Sequence, residues 1–330
     1  MGLASALKSG LHWVGLLSGS ATLYLSVLLS CVTAASLCSQ WNNPCELLSH
    51  FVYIYVVILI LLCLVAEMQN ARLALVIATC ALAVNVARFA VDWVPVSNDI
   101  TSSYGRVKII EFNCYGPRNK KPTEIGKIAR EEKADIICFC EVEGKWNKAI
   151  AANFPDYPFK SVFPYNCGIA VVSKIPIEKS QTLIAQYEQR PRMLITFRLK
   201  DGRKLSILLA HPTIPMRKDR FEGRNREFEL YAQDLAPVKG PRMIVGDLNC
   251  TPWSYYFEKL LKDTGLKDSE KGFGLQPSWP TVYKVPPFLP IDHFLVSPDI
   301  QVISRKIERE AGSDHRPVMI ECNFPIPLKN

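Results

Sequence analysis

Apolar positions follow two regimes along this chain of 330 residues. In the first hundred residues they run together. Ser9 to Cys45 holds no Lys, Arg, Asp or Glu, and Leu11 to Leu37 within it is long enough to cross a hydrocarbon core, which takes about 20 helical residues. Leu47 to Ala66 is a second such run. A third, Leu73 to Ala87, is bracketed by Arg72 and Arg88, and spans only if those side chains snorkel or the helix extends toward Trp93. The pattern predicts a transmembrane helical region over residues 1–95 with two to three spans. A cleavable leader ending near Val32-Thr33-Ala34 competes for the first run and leaves the second in place.

The second regime alternates short apolar runs with turn residues. Residues 96–105, the end of a Pro-, Ser- and Asn-bearing stretch from Val94, read as a linker, and residues 106–330 as a separate domain. Strands are predicted over Val107–Phe112, Asp135–Cys140, Gly168–Ser173, Met193–Leu199, Lys204–Ala210, Met243–Val245, Ile291–Val296, Gln301–Ile307 and Val318–Cys322. Helices are predicted over Thr123–Glu132, Lys145–Asn153, Asp219–Leu235 and Ser254–Thr264. Asp201-Gly202 is a hairpin signal. This order implies a mixed α/β body, two sheets face to face with helices outside.

Charge separates the same two regions. Residues 1–100 carry three basic and four acidic side chains; the remainder carries 36 and 27, so the net positive charge sits on the second part. A basic soluble domain favours anionic partners: phosphate esters, nucleic acid or acidic headgroups. Lys8 and Arg72 place the N-terminus and the second loop in the cytoplasm, so three spans put the following domain outside it, although Arg88 pulls the other way. The eleven cysteines form no CxxC pair, which argues against a zinc site. Cys138 and Cys140 read as small hydrophobes on a buried strand, and Cys38 and Cys45 can pair if their loop meets an oxidising compartment.

Candidate chemistry gathers at the strand ends. Asn113, Glu141, Gly246-Asp247-Leu248-Asn249, Ile291-Asp292-His293 and Ser313-Asp314-His315 each border an apolar run. Hydrolysis of a phosphate ester needs a hard cation, an oriented water, donors for the developing charge and an acid for the leaving oxygen. Glu141 suits a Mg²⁺ or Mn²⁺ ligand with Asn113 beside it. Asp247 and Asn249, two apart on an extended segment, orient a water; Asp292 steadies His315, and His211 is a further donor. Singly these are Asx turns, strand caps and satisfied polar groups; jointly they describe one site.

The order Asn113, Glu141, His211, Gly-Asp-Leu-Asn, Ile-Asp-His, Ser-Asp-His resembles the endonuclease/exonuclease/phosphatase superfamily from about Val107 to Phe324. Leu-Ser-His-Phe, His211-Pro212, Thr251-Pro252-Trp253-Ser254, Ser278-Trp279-Pro280 and Pro290-Ile291-Asp292-His293 resemble its bacterial membrane-anchored branch. The resemblance implies a four-layer α/β sandwich, Mg²⁺-dependent hydrolysis of phosphate esters and a multi-pass protein of the bacterial inner membrane, its catalytic domain extracytoplasmic by the loop charges above. It assigns Asn113, Glu141 and Asp314 to the metal, Asp247 to the water, Asn249 and His211 to the phosphate, and Asp292 to the support of His315. Two departures count against DNA repair: Val142-Glu143 stands where abasic-site endonucleases carry Thr-Lys, and Tyr115 replaces an acid. Arg217, Lys218, Arg220, Arg224 and Arg226 either rim the cleft or, interleaved with Glu222, Glu227 and Glu229, form a solvated helix face. Trp253 and Trp279 either stack on a base or pack. Three functions stay open: a phosphoesterase acting on nucleic acid or nucleotides, a lipid phosphodiesterase of sphingomyelinase or phosphoinositide type, and a non-catalytic membrane scaffold.

Overall fold

Inward and outward positions of the strands decide the architecture of the second part of the chain. In a computed structural model, which describes residues 18–90, 93–94, 105–184, 190–281 and 288–324, the chain divides into two units, residues 1–91 and 92–330. All but Gly105 of the expected linker, and residues 11–17 of the first apolar run, lie outside the described residues.

The first unit holds α1 (Gly19–Leu37), α2 (Asn43–Ser49), α3 (Val52–Met68) and α4 (Arg72–Ala90). Two of these, α1 and α4, are long and apolar enough to cross a membrane; each has 19 residues, a rise of about 28 Å. The 15-residue core of the third run reaches this length because α4 takes in both Arg72 and Arg88. The second run is not one straight helix: α2 and α3 meet at 67° and count as one further span only if taken together. Large apolar residues such as Leu28, Leu61 and Val76 face outward, whereas Thr22, Ser26, Thr33, Ser36, Ala78 and Asn85 are buried. Asn85 Nδ2 donates to Thr33 Oγ1 at 2.8 Å, and Thr22 Oγ1 to Gln69 Oε1 at 2.8 Å. Small and polar side chains inside, with apolar ones outside, is the packing that lipid as solvent favours. Cys38 and Cys45 are free thiols.

The second unit is a four-layer α/β sandwich. One sheet runs β11 (Gln301–Ile307), β12 (Val318–Asn323), β1 (Val107–Asn113), β2 (Ile136–Cys140), β4 (Ile169–Ser173), β3 (Phe159–Phe163). The other runs β5 (Ile177–Ile184), β6 (Pro191–Arg198), β7 (Lys204–Ala210), β8 (Arg242–Asp247), β10 (Asp292–Val296), β9 (Lys267–Asp268). At the centre of each sheet lies a parallel pair, β1–β2 and β7–β8, joined by the crossover helices α5 (Glu124–Glu131) and α7 (Lys218–Leu235). Alternate residues of every central strand serve different layers. Val107, Ile109, Ile136, Cys138, Ile207, Val245 and Phe294 fill the space between the sheets. Ile110, Phe112, Ile137 and Phe139 pack on α5 and α6 (Trp146–Asn153), while Leu208, Ile244 and Leu295 pack on α7 and α8 (Tyr255–Thr264).

Three strands escape the hydrophobic pattern: β3, β5 and β9. All are sheet edges. An edge strand buries one side at most, and β5 (Ile-Glu-Lys-Ser-Gln-Thr-Leu-Ile) is mostly exposed, so no apolar run marks it.

Candidate active site

The inner face of the sandwich turns from apolar to polar at one edge. On β1 the inward series is Val107, Ile109, Glu111, Asn113; on β7 it is Leu205, Ile207, Leu209, continued by His211; on β8 it is Met243, Val245, Asp247. Antiparallel β10 begins where β8 ends, so Asp292 stands directly across from Asp247, with Phe294 opposite Val245. The same parity that fills the core thus delivers Asn113, His211, Asp247 and Asp292 to a common rim.

The side chains meet there. Asn113 Nδ2 donates to Asp247 Oδ2 at 3.0 Å and lies 3.3 Å from Glu141 Oε1, bridging the two sheets. His211 Nδ1 faces the Asp247 carbonyl at 3.1 Å and its Nε2 lies 3.4 Å from Glu141. His315 Nδ1 donates to Asp292 Oδ2 at 2.8 Å, and its Nε2 is 3.6 Å from Asp247 Oδ2. Asp314 stands one step out, where Trp279 Nε1 donates to its Oδ2 at 3.2 Å.

Local backbone explains the motif. Gly246 has φ 142°, and a Cβ there would strike the Ala210 carbonyl oxygen, so β7 and β8 approach this closely only with glycine. Glu141 and Asn249 sit in the left-handed region, φ 56° and 48°. Strain at non-glycine residues of this kind gathers at sites that must aim a side chain. For Asn249 it corrects the expected extended segment. The strand stops at Asp247, Asp247 Oδ1 accepts from Asn249 N at 2.9 Å, and Asn249 Nδ2 donates to Pro212 O at 3.1 Å instead of lying parallel to Asp247.

Burial and charge oppose each other throughout. Burial alone would raise Glu141, but the His211 hydrogen bond and charge, with Asn113, hold it at about 2. Burial would lower His315; Asp292 and Asp247 outweigh it and push the ring up to about 10. Burial likewise opposes the rise of His211, which Glu141 and Asp247 produce. His315 is therefore a cationic donor at neutral pH, and the two imidazoles flank Asp247. Its own pKa is raised by burial, against the pull of His315 and His211.

The donor set suits a hard divalent cation. Carboxylate oxygens predominate, and Asp292 Oδ1 is buried without a hydrogen-bond partner. Asp247, Asp292 and His315 each offer one donor atom, all within 4.8 Å of one another.

A family model described as Endonuclease/Exonuclease/phosphatase family matches residues 110–315. The chain belongs to that family. An endonuclease/exonuclease/phosphatase from Bacteroides vulgatus aligns with TM-score 0.58 and 17% identity over 67% of this chain and 99% of that one. D. rerio TDP2 complexed with single strand DNA product aligns with TM-score 0.54 and 14% identity, over 66% and 99%. The human Nocturnin catalytic domain with bound sulfate anion aligns with TM-score 0.56 and 16% identity, over 67% and 94%. At these identities the likeness is one of fold. No curated protein matches the chain.

Within this endonuclease/exonuclease/phosphatase fold, several residues take positions at the site that their place in a motif did not reveal. Ser313 Oγ donates to the Asn113 carbonyl at 2.7 Å and accepts from His315 N at 3.1 Å, tying the last motif to the first. Ser278 Oγ accepts from Asp292 N at 3.4 Å. Glu111 is fully buried beneath the rim; burial, then Asp292 and Asp247, push its carboxyl well above the usual range. A lone acid inside Val-Lys-Ile-Ile-Glu-Phe-Asn was the available signal. Trp279 is both packed and polar, its ring centroid 6.4 Å from that of His315. The basic stretch divides. Arg217 and Lys218 pair with Asp219 and Glu222 on an exposed face, but Arg224 is buried over the Phe228 and Tyr256 rings and donates to the Asn249 carbonyl at 3.4 Å. It holds the rim from behind and does not line the cleft.

Proposed function

We propose that this chain is a membrane-anchored, divalent-metal-dependent phosphoesterase that hydrolyses phosphodiester or phosphomonoester bonds of nucleic acid or nucleotides. The observation that carries the reading is the placement of Asp247. It accepts from Asn113, which also reaches Glu141, and lies within 3.6 Å of a nitrogen of each of two histidines.

Asn113 and Glu141, with Asp314 nearby, would hold the cation. When bound, Mg²⁺ or Mn²⁺ supplies positive charge to a phosphate oxygen and lowers the pKa of water. Asp247 accepts the proton of the attacking water and fixes its direction. His315, held in one orientation by Asp292, donates Nε2–H to a phosphate oxygen as negative charge grows. His211 donates from the other side, and Asn249, secured by Pro212 and Arg224, lines the same rim.

The basic balance of the second unit and the TDP2 structure with single strand DNA product support nucleic acid as substrate class. Two helices able to cross a bilayer, with apolar residues outward, support the anchor and favour a second reading, a lipid phosphodiesterase whose tether keeps its cleft near headgroups. In the proposed topology the protein is a multi-pass inner-membrane protein, residues 96–105 link the membrane part to the catalytic domain, and that domain lies outside the cytoplasm. The deciding experiment assays the purified full chain on bis(p-nitrophenyl) phosphate, single-stranded DNA, nucleotides and phospholipid vesicles, with and without chelator. We expect chelator-sensitive hydrolysis with DNA or nucleotides ahead of vesicles; preference for vesicles selects the lipid enzyme, and inactivity on all four selects a scaffold.

A further inference from the structure

Strand β10 carries two different sites on its two faces. Asp292 points between the sheets to the catalytic rim, and its neighbour His293 points out toward α8, where its ring centroid lies 4.7 Å from that of Phe257. His293 is fully buried and its Nε2 is 2.7 Å from the Cys250 carbonyl oxygen. A carbonyl only accepts, so Nε2 carries the ring's proton in the neutral form and Nδ1 presents a lone pair. That Nδ1 is buried and has no hydrogen-bond partner.

The surrounding groups are acceptors too. Asp268, 5% exposed, receives Glu270 N on Oδ1 at 2.9 Å, while its buried Oδ2 has no hydrogen-bond partner. Glu270 receives Gln276 N on Oε1 at 2.9 Å. Asp268, Glu270 and His293 each offer one donor atom, and the three lie within 4.8 Å of one another. Arg305 brings one positive charge, 3.7 Å from Glu270 Oε2, but it also donates to Ser269 Oγ at 3.3 Å and to the Asp292 carbonyl at 3.0 Å. Two buried carboxylates and an imidazole thus face one guanidinium, with His293 Nδ1 and Asp268 Oδ2 the acceptors left without a hydrogen bond. Burial of such atoms is costly unless a donor or something positive lies among them.

We infer that Asp268, Glu270 and His293 form a second divalent-cation site, on the outer face of the sheet and separate from the catalytic rim. One imidazole nitrogen and two carboxylates are a donor set for Zn²⁺ or Mn²⁺ more than for Mg²⁺, and complete burial makes the site structural. The ion would brace residues 268–276, which lead directly into Ser278 and Trp279, the residues that hold Asp292 and Asp314. The inference does not rest on the reaction proposed above.

The test uses the full chain in detergent bearing Glu141→Gln, which weakens the catalytic site. Stripped with chelator and titrated with Zn²⁺ alone, it should bind about one equivalent, and adding Asp268→Asn or His293→Gln should weaken that binding about 100-fold or more. Zn²⁺ should also raise the melting temperature of Glu141→Gln protein. As a check that needs no variant at 268 or 293, nitrogen NMR of His293 should show Nε2 protonated and Nδ1 shifted on Zn²⁺ addition. Failure of the Glu141→Gln protein to bind Zn²⁺ or Mn²⁺, binding indifferent to both added substitutions, or a His293 ring protonated on both nitrogens and unmoved by Zn²⁺ would each overturn the inference. The last outcome would mean that a proton fills the cluster.

Discussion

The β1–β2 pair and the β7–β8 pair have the same construction: parallel strands joined by a crossover helix, inward apolar residues, and a polar residue where each strand ends. What they deliver differs. The first sheet contributes Asn113 and Glu141, oxygen donors suited to a cation, with Glu141 held at about 2. The second contributes Asp247, His211 and, from β10, Asp292, while His315, carried by the β11–β12 connection of the first sheet, reaches across to Asp292. In the proposed mechanism, one frame used twice thus puts the cation's ligands Asn113 and Glu141 on one sheet and the water-activating Asp247 on the other.

Substitutions can break that division. Asp247→Asn keeps an acceptor for Asn113 and Asn249 but removes the base, so kcat on bis(p-nitrophenyl) phosphate should fall about 10³-fold or more, and excess Mg²⁺ should not restore it. Glu141→Gln should cost about 10²-fold at low Mg²⁺ and recover substantially as Mg²⁺ or Mn²⁺ is raised. If both losses respond alike to added metal, the two sheets do not have separate duties.

Acidity sharpens the comparison. His315 is raised from 6.5 to about 10 on folding, so the stability it contributes is complete below about pH 6.5 and is lost as pH rises through 10. Denaturant midpoints of the full chain should fall across that window, and His315→Gln should flatten the fall. Glu141 behaves in reverse: lowered from 4.5 to about 2, it stabilises above pH 4.5 and ceases to do so as pH falls through 2. The smallest effect belongs to Trp279→Phe, which removes one donor to Asp314; stability should drop by about 1 kcal/mol and kcat/KM by a few-fold.

Much of this arrangement was legible because strand parity is written in the chain. Val107, Ile109, Glu111, Asn113 and Met243, Val245, Asp247 run at intervals of two, and each series ends on a polar residue at the strand end. Parity gave no access to β3, β5 or β9, whose edge positions remove the apolar signal. Nor could it show Asn249 turning into a left-handed conformation, since that depends on Pro212 and Arg224 arriving from elsewhere. Arg224 itself looked like one more surface charge; only the aromatic rings of Phe228 and Tyr256 explain its burial. In the first unit, the break between α2 and α3 falls at Leu-Ser-His-Phe inside a run free of Lys, Arg, Asp and Glu, where hydropathy is blind to a bend.

The facing of Asp247 and Asp292 across β8 and β10 also guards assembly. Sliding one strand past the other by a single residue would send Phe294 and Val296 to the helix side and bring His293 into the greasy interior. A misaligned sheet would lose its two opposed acids together with its packing, so a molecule that folds wrongly is also inert. The aspartate pair is a registration mark: it makes the presence of the site a proof that the strands were threaded correctly.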